Sequence, residues 1–150
     1  MPIAILSNQA WIKALPHTSL LQLARALAAQ GLHAQAVITA QTACEVYTEA
    51  VITALIQARG IADLHDAIER MIPNYNLANE RVLRLYVALS SDKIQDAEFW
   101  QRFKTHVERR HEAAHQGKGL SPDVAEASCQ VAEELIRHLE SVLNKAKERT

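Results

Sequence analysis

The chain has 150 residues, 49% of them apolar and only 5% aromatic, and its 16 Lys and Arg against 17 Asp and Glu give a formal charge of -1 with His neutral. That apolar share excludes a disordered chain, and one ordinary domain spanning 1–150 is long enough to bury a core. Four Gly and four Pro are too few for an all-β sandwich, and the near-zero charge lacks the global basic signature of many nucleic-acid-binding domains.

The first 17 residues, with Trp11 and Pro16, carry the weakest pattern. A first helix is expected from Thr18 or Ser19 to about Gln30, with Ser19 as N-cap, and Gly31 interrupts it. A second runs from about Ala34 to Arg59 and stops at Gly60. Its Ala36, Ala40, Ala43, Tyr47, Ala50 and Ala54 form a small-residue stripe, and Val37, Ile38, Cys44, Val51, Ile52 and Ile56 make its other faces apolar too. Such a helix belongs at the centre of a bundle or at a subunit contact.

A short helix over Ala62–Met71 is stopped by Ile72-Pro73-Asn74. Another covers roughly Leu77 to Leu89 before Ser90-Ser91-Asp92. A long one runs from about Asp96 to His115, and Gln116-Gly117-Lys118-Gly119-Leu120 reads as a loop. The last helix has a strong start signal in Ser121 as N-cap, Pro122 at its first position and Asp123 in its first turn. Val124, Val131, Leu135, Leu139 and Val142 then keep helical spacing. With no repeat, linker or low-complexity tract, the expected fold is all-α, a single-domain bundle of about five helices.

Cys44 and Cys129 lie in helical stretches far apart and read as buried reduced thiols. No basic-then-apolar leader opens the sequence and no apolar run reaches about 18 residues, so the expectation is a cytoplasmic protein without a membrane partner.

Chemistry concentrates between Arg102 and Gly119. Five basic residues (Arg102, Lys104, Arg109, Arg110, Lys118) face two acidic ones (Glu108, Glu112), a local excess of +3, and His106, His111 and His115 lie among them. Two motifs overlap there. His111-Glu112-Ala113-Ala114-His115 matches the H-E-x-x-H pattern of zincin metalloproteases, in which two His bind zinc and the Glu is the general base. Composition alone predicts only about 0.03 such matches. The context opposes it: Glu126, Glu133 and Glu134 stand at no family spacing for a third ligand, Arg109 and Arg110 would repel a dication, and no strand is visible to align substrate. A metal-binding bundle similar to the DinB family is a further reading, with His111 and His115 joined by His33 or His65.

The second motif is Arg110-His111-x-x-x-His115. Composition predicts about 1.4 matches to an Arg followed by His after four to six residues, so the bare pattern is weak and its surroundings carry the argument. The motif closes a long helix, a glycine loop follows, and Ser121-Pro122-Asp123-Val124-Ala125-Glu126-Ala127 opens a final amphipathic helix. In this order, and in the early core helix around Ala43-Cys44-Glu45-Val46-Tyr47, the sequence resembles the HEPN superfamily over roughly residues 34–145. The resemblance implies a HEPN-like helical bundle that forms a homodimer and acts as a metal-independent endoribonuclease of toxin–antitoxin or defence systems, or as a catalytically weakened RNA-binding relative, with RNA and an antitoxin protein as partners and no cofactor. It makes Arg110 and His115 the catalytic pair and His111 the polar second position. The nucleotidyltransferase-paired subgroup often carries a Tyr just after the His, and residues 116–120 hold none.

The residue types suit that chemistry. A His titrating near neutrality takes the 2′-OH proton or donates to the leaving oxygen, and an Arg fork stabilises the charge growing on phosphorus. Residues five apart on a helix point about 140° apart, so Arg110 and His115 do not share a face, and a site composed from two subunits relieves that. Arg109 and Lys118 are the candidate RNA contacts, and Glu112 is placed to orient a histidine. The competing account is structural: cations near a helix C-terminus are ordinary electrostatic capping, the charged stretch is a solvated face, and the chain is a scaffolding or dimerisation module. His17, His33, His65 and His138 read as surface or half-buried side chains, and Trp11, Phe99, Trp100 and Phe103 as packing residues. The candidate dimer surfaces are the Ala36–Ala54 stripe and the end of the long helix after Asp96.

Overall fold

The computed structural model describes residues 16–116 and 119–149. Among them are six α-helices and two 3-10 turns, and no strand. The helices are α1 (His17–Ala29), α2 (His33–Ala58), α3 (His65–Met71), α4 (Glu80–Ser90), α5 (Trp100–Gln116) and α6 (Pro122–Glu148).

The helix boundaries follow local chemistry. Pro16 takes the N-cap of α1 with φ -61°, which places Ser19 inside the first turn rather than at its cap; the ring pre-sets the backbone angle that a helix needs. Gly31 and Gly60 close α1 and α2 with positive φ (81° and 71°), a backbone that side chains with a Cβ adopt at a cost. Segment 62–71 divides into a 3-10 turn (Ala62–Leu64) and α3. Asn79 caps α4 by accepting from the Arg81 and Val82 backbone N–H groups, so α4 begins three residues later than Leu77. Its end is Ser91, left-handed at φ 60° and donating its N–H to the Val87 carbonyl at 2.8 Å.

The start expected at Asp96 is corrected. Ile94–Asp96 is a 3-10 turn, Ala97 is extended, and α5 begins at Trp100. Ile94, Phe99 and Trp100 are all buried there, and anchoring three large apolar side chains outweighs the helix preference of the intervening residues. The α6 start is as the sequence signals: Ser121 Oγ accepts the Val124 N–H at 3.3 Å, with Pro122 at the first position.

α2 is central and packs most extensively on α6, α1 and α5. Ala36, Ala40, Ala43 and Tyr47 are buried in the chain's own core, which overturns most of the small-residue stripe as a dimer surface; only Ala50 in it is exposed. Small residues there let α1 approach closely. Ala40, Ala43 and Tyr47 form one cluster with Leu20, Val51, Ile52, Tyr86, Phe103, Leu135 and Leu139.

Cross-contacts fix the directions. Phe99 meets His138 edge-on and Arg102 pairs with Glu134 at 2.6 Å, so α5 and α6 are antiparallel. The C-terminal ends of α2, α4 and α6 share a groove lined by Ala58, Arg59, Leu89, Ser90, Ala146 and Arg149, so α2 and α6 run parallel. Arg59 donates there to the Leu89 and Ala88 carbonyls, capping α4 from outside. The end of α5, with its Arg and His residues, therefore lies at the opposite end of the bundle, where α2 begins.

Candidate functional site: the C-terminal half of α5

Helical spacing sorts the polar residues of α5 onto separate faces. Phe103, His106 and Ala113 are buried and look into the bundle, while His111 and His115 are exposed. Arg110, one turn after His106, is half-buried.

His106 is 3% exposed. Its Nε2 meets Gln41 Oε1 of α2 at 3.0 Å, and Gln41 Nε2 donates to Glu45 Oε1 at 3.1 Å. This chain settles the proton's position: Glu45 accepts, Gln41 therefore presents its oxygen, and His106 carries its proton on Nε2. Nδ1 is then a buried lone pair, and it has no hydrogen-bond partner among the described residues. Burial, and secondly the charge of Arg110, push this imidazole down to about 4. His106 is thus neutral at pH 7 and is an acceptor at Nδ1. The Arg110 Nε is also buried without a described partner.

His111 and His115 face each other with ring centroids 4.4 Å apart and an interplanar angle of 46°. Among the described residues no hydrogen bond or ion pair joins either of them to Arg110. The structure brings His111 and His115 together on one face and holds Arg110 on another. Glu112 is half-buried and bonds to no described residue. Lys118 lies outside the described residues. Among the described residues no group of three His, Cys, Asp or Glu is gathered to hold a metal, so neither His33 nor His65 joins the His111–His115 pair. His65 instead meets Thr53 Oγ1 at 3.3 Å, and His33 is half-buried with its Nδ1 unpartnered.

Arg109 is half-buried and lines a groove of about 640 Å³ between α5 and α6, to which Arg102, Thr105, His106, Val124, Ala127 and Ser128 also contribute. Arg102 is held there by Glu98 at 2.7 Å and Glu134 at 2.6 Å. Arg25 of α1 binds Glu133 at 3.0 Å and Glu126 at 2.6 Å, bracing α6. Of the basic residues counted in the +3 excess, Arg102 is the one with an ion pair among the described residues.

Sequence reasoning singled out His106 only as one of three clustered histidines; its burial follows from its place three residues after Phe103 and seven before Ala113. Gln41 carried no such signal, because its partner His106 lies 65 positions away in the sequence. Cys44 and Cys129 are free and buried, and burial raises both thiols. Among the described residues no helix is long and apolar enough to cross a membrane. The chain matches no protein-family model, no curated protein and no solved structure.

Proposed function

We propose that the protein is a cytoplasmic, metal-independent endoribonuclease of the HEPN type that works as a homodimer, with Arg110 and His115 as catalytic residues, His111 beside them, and Arg109 and Lys118 contacting RNA. One observation carries this reading. α5 divides its histidines into a buried one held by Gln41 and an exposed pair whose tilted rings touch, and only the exposed pair is open to a macromolecular substrate. Cleavage without a metal needs a general acid–base and a fixed cation. His115 supplies the first, and Arg110 supplies the second from the adjoining face. Because the two do not meet within one chain, a partner subunit completes each site. An antitoxin protein that covers this end of the bundle fits the same reading.

The test is cleavage of total RNA with EDTA present. The wild-type protein cleaves, and His115→Ala lowers the rate by at least 100-fold, the usual scale for losing a general acid–base. Activity abolished by EDTA and restored by zinc would instead place His111 and His115 in a metal site.

A further inference from the structure

The exposed pair on α5 has a geometry that acid–base chemistry does not require. The ring centroids of His111 and His115 are 4.4 Å apart, and both side chains are exposed. Two histidines at i and i+4 share one helix face and can share one metal ion. A ring nitrogen about 2.0 Å from a metal puts its ring centroid roughly 3.1 Å away, so two imidazoles at a right angle have centroids roughly 4.4 Å apart, against roughly 5.1 Å at the tetrahedral angle. The observed spacing is that of the right-angled pair. Cu²⁺ and Ni²⁺ favour this geometry and stand high in the affinity order of divalent ions for imidazole.

The charges around the pair suit a dication. In the sequence Arg109 and Arg110 oppose one, but the helix turns both away, roughly 120–140° around the axis from the middle of the pair. Arg109 lines the α5–α6 groove and the Arg110 Nε is buried. The neighbours on the pair's own side are carboxylates. Glu108 stands three residues before His111 and Glu112 three before His115, a spacing that puts each acid beside one imidazole. Neither carboxylate has an ion pair or hydrogen bond among the described residues. The one cation on this stripe of α5, Lys104, is two turns before His111, roughly 10 Å along the axis. Among the described residues no third His, Cys, Asp or Glu is gathered with the pair, so water takes the ion's other positions and binding is reversible.

We propose that His111 and His115 form a surface chelate for a divalent transition-metal ion that favours right-angled nitrogen ligands, Ni²⁺ or Cu²⁺, and that this ion switches cleavage off. The site itself stands on the geometry of α5. The switch rests on the reading of the protein as a ribonuclease: a metal on the His115 nitrogen takes the lone pair that would accept the 2′-OH proton. The ion is thus an inhibitor, unlike the catalytic zinc of an H-E-x-x-H protease, and cleavage and metal binding compete for one imidazole.

The probe is Ni²⁺ alone, titrated into the full chain by calorimetry and by mapping of backbone amide signals. One ion per chain is expected, with the signals of Glu108, His111 and His115 shifted or broadened first. His111 and Glu108 are exposed, so variants there keep the bundle, as their amide spectra will verify. His111→Ala is expected to weaken Ni²⁺ binding by more than about tenfold, the least that loss of even an outer-sphere partner commonly costs. Glu108→Lys leaves both ligands in place and is expected to weaken it about fivefold, the scale of a screened charge reversal. Equal affinity in His111→Ala and wild type, or first responses elsewhere in the chain, overturns the site. In the cleavage assay saturating Ni²⁺ is expected to stop the wild-type protein and excess EDTA to restore it. Cleavage undiminished while Ni²⁺ occupies the pair overturns the switch. Ni²⁺ bound at the pair with no cleavage under any condition sinks the ribonuclease reading and keeps the site. Cleavage that requires Ni²⁺ overturns both the switch and the metal-independent mechanism.

Discussion

His106 shows how one side chain couples the core to pH. Its imidazole is pushed down to about 4 by burial and by Arg110, whereas in the unfolded chain it titrates near its ordinary value of 6.5. Between those values the unfolded state binds a proton that the native state refuses, so stability rises with pH across the window. The contribution is fully present above pH 6.5 and is lost progressively as pH falls toward 4. The shift corresponds to roughly 3 kcal/mol, from about 1.4 kcal/mol per pKa unit. Urea unfolding from pH 4 to 7 is expected to show that slope, and His106→Gln, which still reaches Gln41 but cannot titrate, is expected to flatten it. A slope unchanged in the variant would mean that other groups govern the acid limb. The exposed pair His111 and His115 has no such burial, which is why their roles divide. In the sequence the three histidines look alike; burial separates them, and only the spacing to Phe103 and Ala113 hints at it.

Helices show the same division between local and tertiary information. The start of α6 is legible because its signal is local: Ser121 accepts the Val124 N–H and Pro122 supplies its fixed φ, all within four residues. Ser121→Ala is expected to cost about 1 kcal/mol in urea unfolding, the usual value of an N-cap, and a loss below about 0.3 kcal/mol would mean the cap is redundant. The start of α5 was not legible, because Asp96-Ala97-Glu98-Phe99 contains no helix breaker. There the burial of Ile94, Phe99 and Trp100 decides, and burial partners lie elsewhere in the chain. The α2 stripe failed as a dimer surface for a related reason. Alanines at helical spacing permit close approach by any helix, and α1, joined to α2 by a short turn at Gly31, reaches it within the chain.

At the scale of the molecule, the bundle carries its unsatisfied chemistry at one end. At the other, the ends of α2, α4 and α6 are closed by Arg59 on the Leu89 carbonyl, and Asp92 takes both the Tyr86 hydroxyl and His138 at 2.7 Å. At the end carrying Arg110, His111 and His115, Arg25 braces α6 through Glu126 and Glu133, but among the described residues no hydrogen bond or ion pair engages those three side chains. Within one chain Arg110 and His115 stay on different faces, so the composite-site reading makes a prediction that a site within one chain does not. A two-fold dimer repeats each contact twice, so every site takes Arg110 from one subunit and His115 from the other. Each single variant, Arg110→Ala or His115→Ala, is then inactive alone. In a denatured and refolded equimolar mixture, half of the dimers are mixed, and each mixed dimer has one site with both residues intact and one with neither. Recovered ribonuclease activity is therefore expected at about a quarter of the wild-type level, by that symmetry argument. If Arg110 and His115 acted within one chain, no site in the mixture would be intact and no activity would return.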